Sequence, residues 1–247
     1  MSDALTMTAR CFRLTRRQLD ALLTSLLLPV LLMLLFVCLF GGAIHTGTRY
    51  VTYVVPGVLL LCAGFGASLT AVSVSQDLTG GIVDRFRSMD IRGTAILTGH
   101  IAASVARNLA STVLVFGVAC LIGFRPQAGL PGWLAAAAVL LLFILAMSWL
   151  AAAFGLAAKT PEAANGFMFV VAFLPYASSA FVPVATMPSW LRGFASHQPV
   201  TPATETIRGL LLGTPVGTRP WLALAWCGGI LALAVILSGW LFRRRTA

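Results

Sequence analysis

Acidic residues are scarce in this chain: it has seven Asp and Glu in 247 residues, against 17 basic ones, and only one of the basic residues is a lysine, Lys159. Charged residues make up 10% of the chain, where soluble domains carry about 25%. Hydrophobic residues make up 59%, and the mean hydropathy is +0.93. This composition excludes an ordinary soluble domain and describes an integral membrane protein whose main partner is the lipid bilayer.

The shortage of lysine excludes a nucleotide-hydrolysing site. A phosphate-binding loop of the form G-x-x-x-x-G-K-[ST] needs a lysine to reach the β- and γ-phosphates. The available stretch is Gly155-Leu156-Ala157-Ala158-Lys159-Thr160, which lacks the second glycine and runs into Pro161. Any ATP-driven work must therefore draw on an ATPase carried by another chain. The shortage of acids argues against proton coupling, which uses acids or histidine within the spans. Asp3 and Asp20 precede the first apolar run, and Asp77, Asp84 and Asp90 fall between the second and third. Glu162 sits in a turn and Glu205 in a late, proline-rich segment. The five cysteines (Cys11, Cys38, Cys62, Cys120, Cys227) have no C-x-x-C spacing, and four lie in apolar runs. They read as small core hydrophobes rather than as metal ligands or disulfides. The net charge of +10 comes from residues spread over loops, which the positive-inside rule explains without a nucleic-acid partner.

A span needs about 20 apolar residues. Six runs qualify, at roughly Leu22–Gly42, Tyr53–Ser75, Ile101–Gly123, Trp133–Ala157, Asn165–Phe181 and Trp221–Phe242, the fifth shortened or bent by Pro175. The fold class expected is an all-α integral membrane protein with six transmembrane helices. With the N-terminus inside, the inner segments hold Arg10, Arg13, Arg16, Arg17, Arg85, Arg87, Arg92, Lys159 and Arg243 to Arg245, and the outer ones hold Arg49, Arg125, Arg192, Arg208 and Arg219. Both termini are therefore expected in the cytoplasm. No cleavable signal peptide is expected, because residues 1–20 are polar and basic. Leu5, Phe12 and Leu19 recur every seven residues among arginines, which predicts an interfacial helix over 1–20 on the membrane surface.

Residues 182–220 hold six of the 12 prolines, so one long helix is excluded. The segment is nevertheless too apolar for a free loop. Pro188-Ser189-Trp190 and Thr201-Pro202 read as helix starts and Gly213 as a stop. Two short re-entrant helices are predicted here, between the fifth and sixth spans.

The stretch Gln76–Gly99 lies between the second and third runs. Gly80-Gly81 breaks the preceding helix. Ile82, Phe86 and Met89 then recur at helical spacing, with Asp84, Arg85 and Arg87 mostly off that face. A short amphipathic helix of this kind either lies on the membrane or docks into a partner's groove.

This stretch resembles the loop between the second and third helices of type-2 ABC transporter permeases of the daunorubicin-resistance exporter group. The matching residues are Asp77, Gly81-Ile82, Arg85 to Arg87, and Ala95-Ile96-Leu97-Thr98-Gly99; Asp90-Ile91-Arg92 stands where the family has a Pro-containing turn. Phe194-Ala195-Ser196-His197-Gln198-Pro199-Val200, followed by Ile207-Arg208-Gly209, resembles the family's late N-P…R-G signature in a His-Gln-Pro variant. The resemblance covers nearly the whole chain. It implies that residues 21–245 form a single six-helix transmembrane domain in a bacterial plasma membrane. It implies a second permease subunit, a homodimer being favoured, and two ABC ATPase subunits carrying ATP and Mg. Loop residues 76–99 would meet the ATPase through Ile82, Asp84, Arg85, Phe86, Arg87 and Met89. Phe36, Phe40, Phe169, Phe173 and Tyr176 would border the pathway and dimer seam. The 182–220 pair would form an extracellular lid carrying Trp190, His197, Pro199, Glu205 and Arg208. The implied cargo is a hydrophobic or amphiphilic small molecule of antibiotic type. A lipid or lipid-linked glycan is the alternative cargo, and a non-transporting partner in a sensor complex is an alternative role.

Other polar residues have local readings. Arg107 lies about 9 Å from the inner end of the third run, at 1.5 Å per residue, and is expected to snorkel to headgroups or to pair with the loop aspartates. Glu205 and Arg208, at i and i+3, are expected to form a partial ion pair. A membrane enzyme with its site in 182–220 would need Ser196 oriented by His197, and neighbouring helix residues do not normally face each other. No catalytic or metal-binding residue is assigned.

Overall fold

The computed structural model describes residues 7–11, 19–44, 47–82 and 93–246, and all regular structure among them is helical. The expected residues Asp84, Arg85, Phe86, Arg87 and Met89 of the loop helix, and Leu5 and Phe12 of the N-terminal repeat, lie outside the described residues. The helices are α1 (Leu19–Leu35), α2 (Tyr50–Thr79), α3 (Gly93–Leu121), α4 (Leu130–Ala157), α5 (Pro161–Asn165), α6 (Phe167–Tyr176), α7 (Ser189–His197), α8 (Val200–Leu212) and α9 (Arg219–Thr246). A π-helical turn, Phe36–Phe40, continues α1, and a short 3₁₀ turn spans Val184–Thr186.

Four of these helices, α2, α3, α4 and α9, are long and apolar enough to cross a membrane. Helix α2, with 30 residues, extends about 45 Å at 1.5 Å per residue, beyond the ~30 Å hydrocarbon core. Helix α2 is the axis of the bundle. It packs on α1, α3, α4 and α6, and Val54, Val58, Leu61 and Ala67 on it are wholly buried. Helix α9 lies at the edge, with Trp221, Leu233 and Ile236 exposed along it.

Met7, the described residues flanking the loop and the last turns of α9 gather at one end of the bundle, here the terminal end. Met7 and Ile96 are buried together there, packed by Leu78 and Phe242, and Arg245 donates to the Ala157 and Ala158 carbonyls. The stretch 7–11 is therefore docked on the bundle as well as positioned near its surface. The same packing explains why α3 starts at Gly93 rather than near Ile101: Ile96 and Leu97 have a core to enter.

The fifth apolar run is shortened at Pro175, as expected, and is also divided near its start. Thr160 caps α5, its hydroxyl accepting from the Ala163 N–H at 3.2 Å, with Pro161 in the first turn. The chain breaks at Gly166, and α6 stops one residue after Pro175. Its 10 residues extend only about 15 Å. Pro175 has no N–H to continue the helix, and residues 177–181 follow as buried turns.

The two short helices expected in 182–220 are present as α7 and α8. Helix α8 starts at Val200 rather than at Pro202, and Gly213 ends it in the left-handed region (φ 67°). That conformation is open to glycine without steric cost. Helix α8 inserts between α2, α4 and α9, burying Ala203, Ile207 and Leu211 in the main core. The Gln127 and Ala128 N–H groups close its end by donating to the Leu211 carbonyl at 3.0 and 3.2 Å.

Candidate functional site

Three groups of polar or aromatic side chains stand out from the apolar bundle. The first is a pocket at the terminal end, between the 7–11 stretch, α2 and α3. Arg10 donates to both Asp77 oxygens, Nη1 to Oδ2 at 2.8 Å and Nη2 to Oδ1 at 3.0 Å. The His100 Nε2 lies 3.0 Å from the same Oδ2. One carboxylate thus ties the N-terminal stretch to the end of α2 and the start of α3, and the fork geometry is the strong form of an ion pair. The bond to Asp77 raises the Arg10 pKa above its ordinary value, against the lowering effect of burial. The cavity beside this cluster holds 220 Å³ and is lined by Thr70, Ser73, Gln76, Ile82, Ala103 and Arg107 as well as the cluster itself.

Arg107 does not reach away from the bundle, as snorkelling requires. Its Nη2 donates to the Gly66 carbonyl and to Thr70 Oγ1, both at 3.0 Å. Helices α2 and α3 approach closely at Gly66, where a Cβ would overlap the Asn108 amide, so the carbonyl is within reach of the guanidinium. Pairing with Asp84 or Asp90 lies outside the described residues.

The second group is aromatic. Phe36 stacks on Phe181 with centroids 4.4 Å apart, and Tyr176 stacks on Phe181 at 5.2 Å. Phe40 joins through Phe36 at 5.5 Å. The end of α1 and the end of α6 therefore share one cluster, and the π turn Phe36–Phe40 carries two of its members. Of the five expected pathway residues, Phe36, Phe40 and Tyr176 meet here. Phe169 and Phe173 point outward from α6, exposed by 77% and 63%. Phe181, not among the expected residues, is the buried centre of the cluster.

The third group is a polar hub at the far end. The Arg208 Nε donates to the Tyr53 carbonyl at 3.0 Å and its Nη2 to the Ser179 carbonyl at 2.9 Å. The Tyr53 hydroxyl donates to the same Ser179 carbonyl at 2.9 Å, and the Tyr50 hydroxyl to the Phe181 carbonyl at 3.0 Å. Thr201 accepts from the Ser179 N–H at 3.1 Å. The buried turns after α6 have no helix to satisfy them, and these side chains take that role.

The expected Glu205–Arg208 pair is replaced by a different one. Glu205 pairs with Arg219 at 2.8 Å, both partly exposed, because the Arg208 fork is turned onto backbone carbonyls. Ser196 and His197 do touch, Oγ to Nδ1 at 3.0 Å, contrary to expectation. Yet Nδ1 also lies 2.8 Å from the Gly193 carbonyl, which can only accept, so Nδ1 carries the proton and cannot take one from the serine. The serine hydroxyl in turn lies 2.8 Å from the Arg192 carbonyl. This is local bonding within α7, not a nucleophile and its base. Trp190 on α7 is 79% exposed and Pro199 joins α7 to α8.

Nor does the Gly155–Thr160 stretch offer a phosphate cradle. A Cβ at Gly155 would overlap the Ala71 carbonyl, so that glycine serves the crossing of α2 and α4. No group of three or more His, Cys, Asp or Glu that could hold a metal ion occurs among the described residues.

The whole arrangement, from the docked N-terminal stretch to the end of α8, falls within a match to the ABC-2 type transporter family over residues 3–212. The chain belongs to this family. Among its relatives, the daunorubicin resistance ABC transporter permease protein DrrB1 of Streptomyces coeruleorubidus is 31% identical over 228 residues, covering 92% of this chain and 81% of the relative. The "Probable doxorubicin resistance ABC transporter permease protein DrrC" of Mycobacterium tuberculosis is 25% identical over 241 residues, covering 96% and 86%. As an ABC-2 type protein, the chain is a membrane permease subunit, and the pocket, the aromatic cluster and the far-end hub are features of a transporter bundle.

Sequence reasoning missed His100 and the partnership of Arg10 with Asp77. The available signal was an acid and a histidine flanking one loop, Asp77 before it and His100 after it, which brings them to the same end of adjacent helices.

Proposed function

We propose that this chain is the membrane-spanning subunit of an ATP-driven exporter that moves a hydrophobic or amphiphilic small molecule of antibiotic type out of a bacterial cell. The observation that carries this reading is the family membership, joined to relatives named for daunorubicin and doxorubicin resistance. The absence of a phosphate-binding loop in the sequence fits a division of labour in which ATP and Mg are held by two ABC ATPase subunits on other chains. The chain pairs with a second copy of itself. It has six spans, α1 and α6 each completing a crossing with the turns that extend them, and both termini are cytoplasmic. The basic residues Arg10, Lys159 and Arg243 to Arg245 at the terminal end favour that orientation.

In this scheme loop 76–99 receives the ATPase through Ile82, Asp84, Arg85, Phe86, Arg87 and Met89. Ile82, the described member, lines the terminal-end pocket, so a push on the loop bears on the Arg10–Asp77–His100 cluster and on α2. The aromatic cluster of Phe36, Phe40, Tyr176 and Phe181 is the greasy wall of the pathway, with Phe169 and Phe173 at the dimer seam. Helices α7 and α8, with Trp190, His197, Pro199, Glu205 and Arg208, form the extracellular lid.

The test is efflux. The chain and its ATPase, expressed together in a drug-sensitive bacterium, are expected to lower daunorubicin accumulation, and Phe36→Ala is expected to weaken that effect. Unchanged accumulation, with export of a lipid-linked glycan instead, would overturn the drug assignment in favour of the lipid cargo.

A further inference from the structure

Among the described residues that line it, the terminal-end pocket has two arginines and one carboxylate. Asp77 is already engaged by Arg10 and His100. Arg107, which also lines the pocket, has neutral partners at its Nη2, and no described carboxylate lies within ion-pair distance of it. Its Nε is buried and bonded to nothing among the described residues. An unpaired charge taken out of water is costly, and the cost falls when an anion supplies the missing acceptor. The cavity in front of it, 220 Å³, is several times the volume of a water in the liquid, about 30 Å³. Thr70, Ser73 and Gln76 add neutral hydrogen-bonding groups to its wall.

We infer that this pocket binds the phosphate group of an anionic phospholipid, with Arg107 as its principal ligand and Arg10 at its rim. Guanidinium suits a phosphate because its N–H groups match two oxygens at once. The recess runs between α2 and α3 from Ile82, just past the end of α2, to Arg107, about half-way along α3, and a basic pocket between helices can hold a headgroup while its acyl chains lie along them. Beside the pocket, the outer face of α3 offers such a track: Ile101, Ala102, Val105 and Leu109 line a shallow apolar groove with Leu145 and Trp149 of α4. A lipid seated there would brace the N-terminal stretch, α2 and α3 against one another, beside the loop proposed to meet the ATPase. The placement in the inner leaflet rests on the topology proposed above. The phosphate site does not, since a lipid presented on both faces of a disc reaches the pocket in either orientation.

The experiment uses the purified full chain in lipid discs and in detergent. Bound lipid is counted by native mass spectrometry after titration with phosphatidylglycerol, with phosphatidylcholine, and with inorganic phosphate. Wild type is expected to hold one phosphatidylglycerol per chain that phosphatidylcholine does not replace and that millimolar inorganic phosphate does not displace. Arg107→Gln is expected to weaken that binding by about tenfold or more. Ser73→Leu, which narrows the cavity and leaves every charge in place, is expected to do the same and carries the test if Arg107→Gln fails to fold. Arg125→Gln, at the far end, is expected to bind as wild type does. Displacement by inorganic phosphate would overturn the lipid as the source of the phosphate. Equal phosphatidylglycerol binding by wild type, Arg107→Gln and Ser73→Leu would overturn the site.

Discussion

The guanidinium of Arg208 lies 3.7 Å over the ring of Tyr53 while its Nε holds the carbonyl of that same residue at 3.0 Å. One side chain of α8 thereby grips the first turn of α2 by its ring and its backbone. Its remaining arm reaches Ser179, in the turns after α6. Hydrogen bonds to a charged donor contribute about 1.5–3 kcal/mol each, and the stacking adds about 1 kcal/mol. Arg208→Ala is therefore expected to destabilise the bundle by about 4 kcal/mol or more, read as a lowered thermal midpoint in detergent. Arg208→Lys keeps the charge but loses the fork, and is expected to recover less than half of the loss. Full recovery by lysine would mean that charge alone matters at this position.

At the other end, Asp77 does the corresponding work. Removing one partner of an ion pair costs about 3 kcal/mol where burial is complete, and Asp77 is the carboxylate that Arg10 and His100 share. Asp77→Asn is expected to loosen the 7–11 stretch, whose Cys11 is buried beside the cluster. In a chain where Cys38, Cys62, Cys120 and Cys227 are replaced by alanine, maleimide labelling of Cys11 should quicken by about tenfold. An unchanged labelling rate would show that the stretch is held by Met7 packing instead.

Much of this fold was legible because a membrane helix announces itself by length and apolarity. The runs that became α2, α3, α4 and α9 were placed to within a few residues, apart from the early start of α3. The stops were legible where a residue has a single conformational reason to be there, as at Gly80-Gly81 and Gly213. In the fifth run the shortening at Pro175 was legible, whereas the break at Gly166 was not, because it depends on where the backbone can find partners. The site was less legible. Arg208 was singled out, but its partners are backbone carbonyls of Tyr53 and Ser179, and a sequence gives no sign of which carbonyls a fold will leave open. The Glu205–Arg208 pair followed from spacing on one helix, yet Glu205 found Arg219 across the junction to α9. His100 was missed because its carboxylate partner is 23 residues away, across the loop.

The Glu205–Arg219 pair should matter little. Its side chains are 26% and 43% exposed, and exposed pairs contribute at most about 1 kcal/mol. Glu205→Gln and His197→Ala are each expected to leave efflux within about fivefold of wild type, since 1 kcal/mol is a factor of about 5. Abolished function in both variants, with a folded protein, would revive a catalytic site in residues 182–220.

The crossing of α2 and α4 should be intolerant of any side chain at Gly155. The obstacle there is the Ala71 backbone, which cannot rotate out of the way as a side chain could. Gly155→Leu is expected to cost about 3 kcal/mol or more, seen as aggregated protein on size-exclusion chromatography. A monodisperse, equally stable Gly155→Leu variant would show that the two helices slide apart freely.

In the proposed function this chain works by taking force from an ATPase through the loop after α2. The most direct measurement is ATP hydrolysis and co-purification of the ATPase subunit encoded beside this chain, with wild type compared against Phe86→Asp. Wild type is expected to retain the ATPase and stimulate its hydrolysis, and a folded Phe86→Asp chain is expected to release it. Equal retention and equal stimulation by Phe86→Asp would contradict the loop as the coupling element.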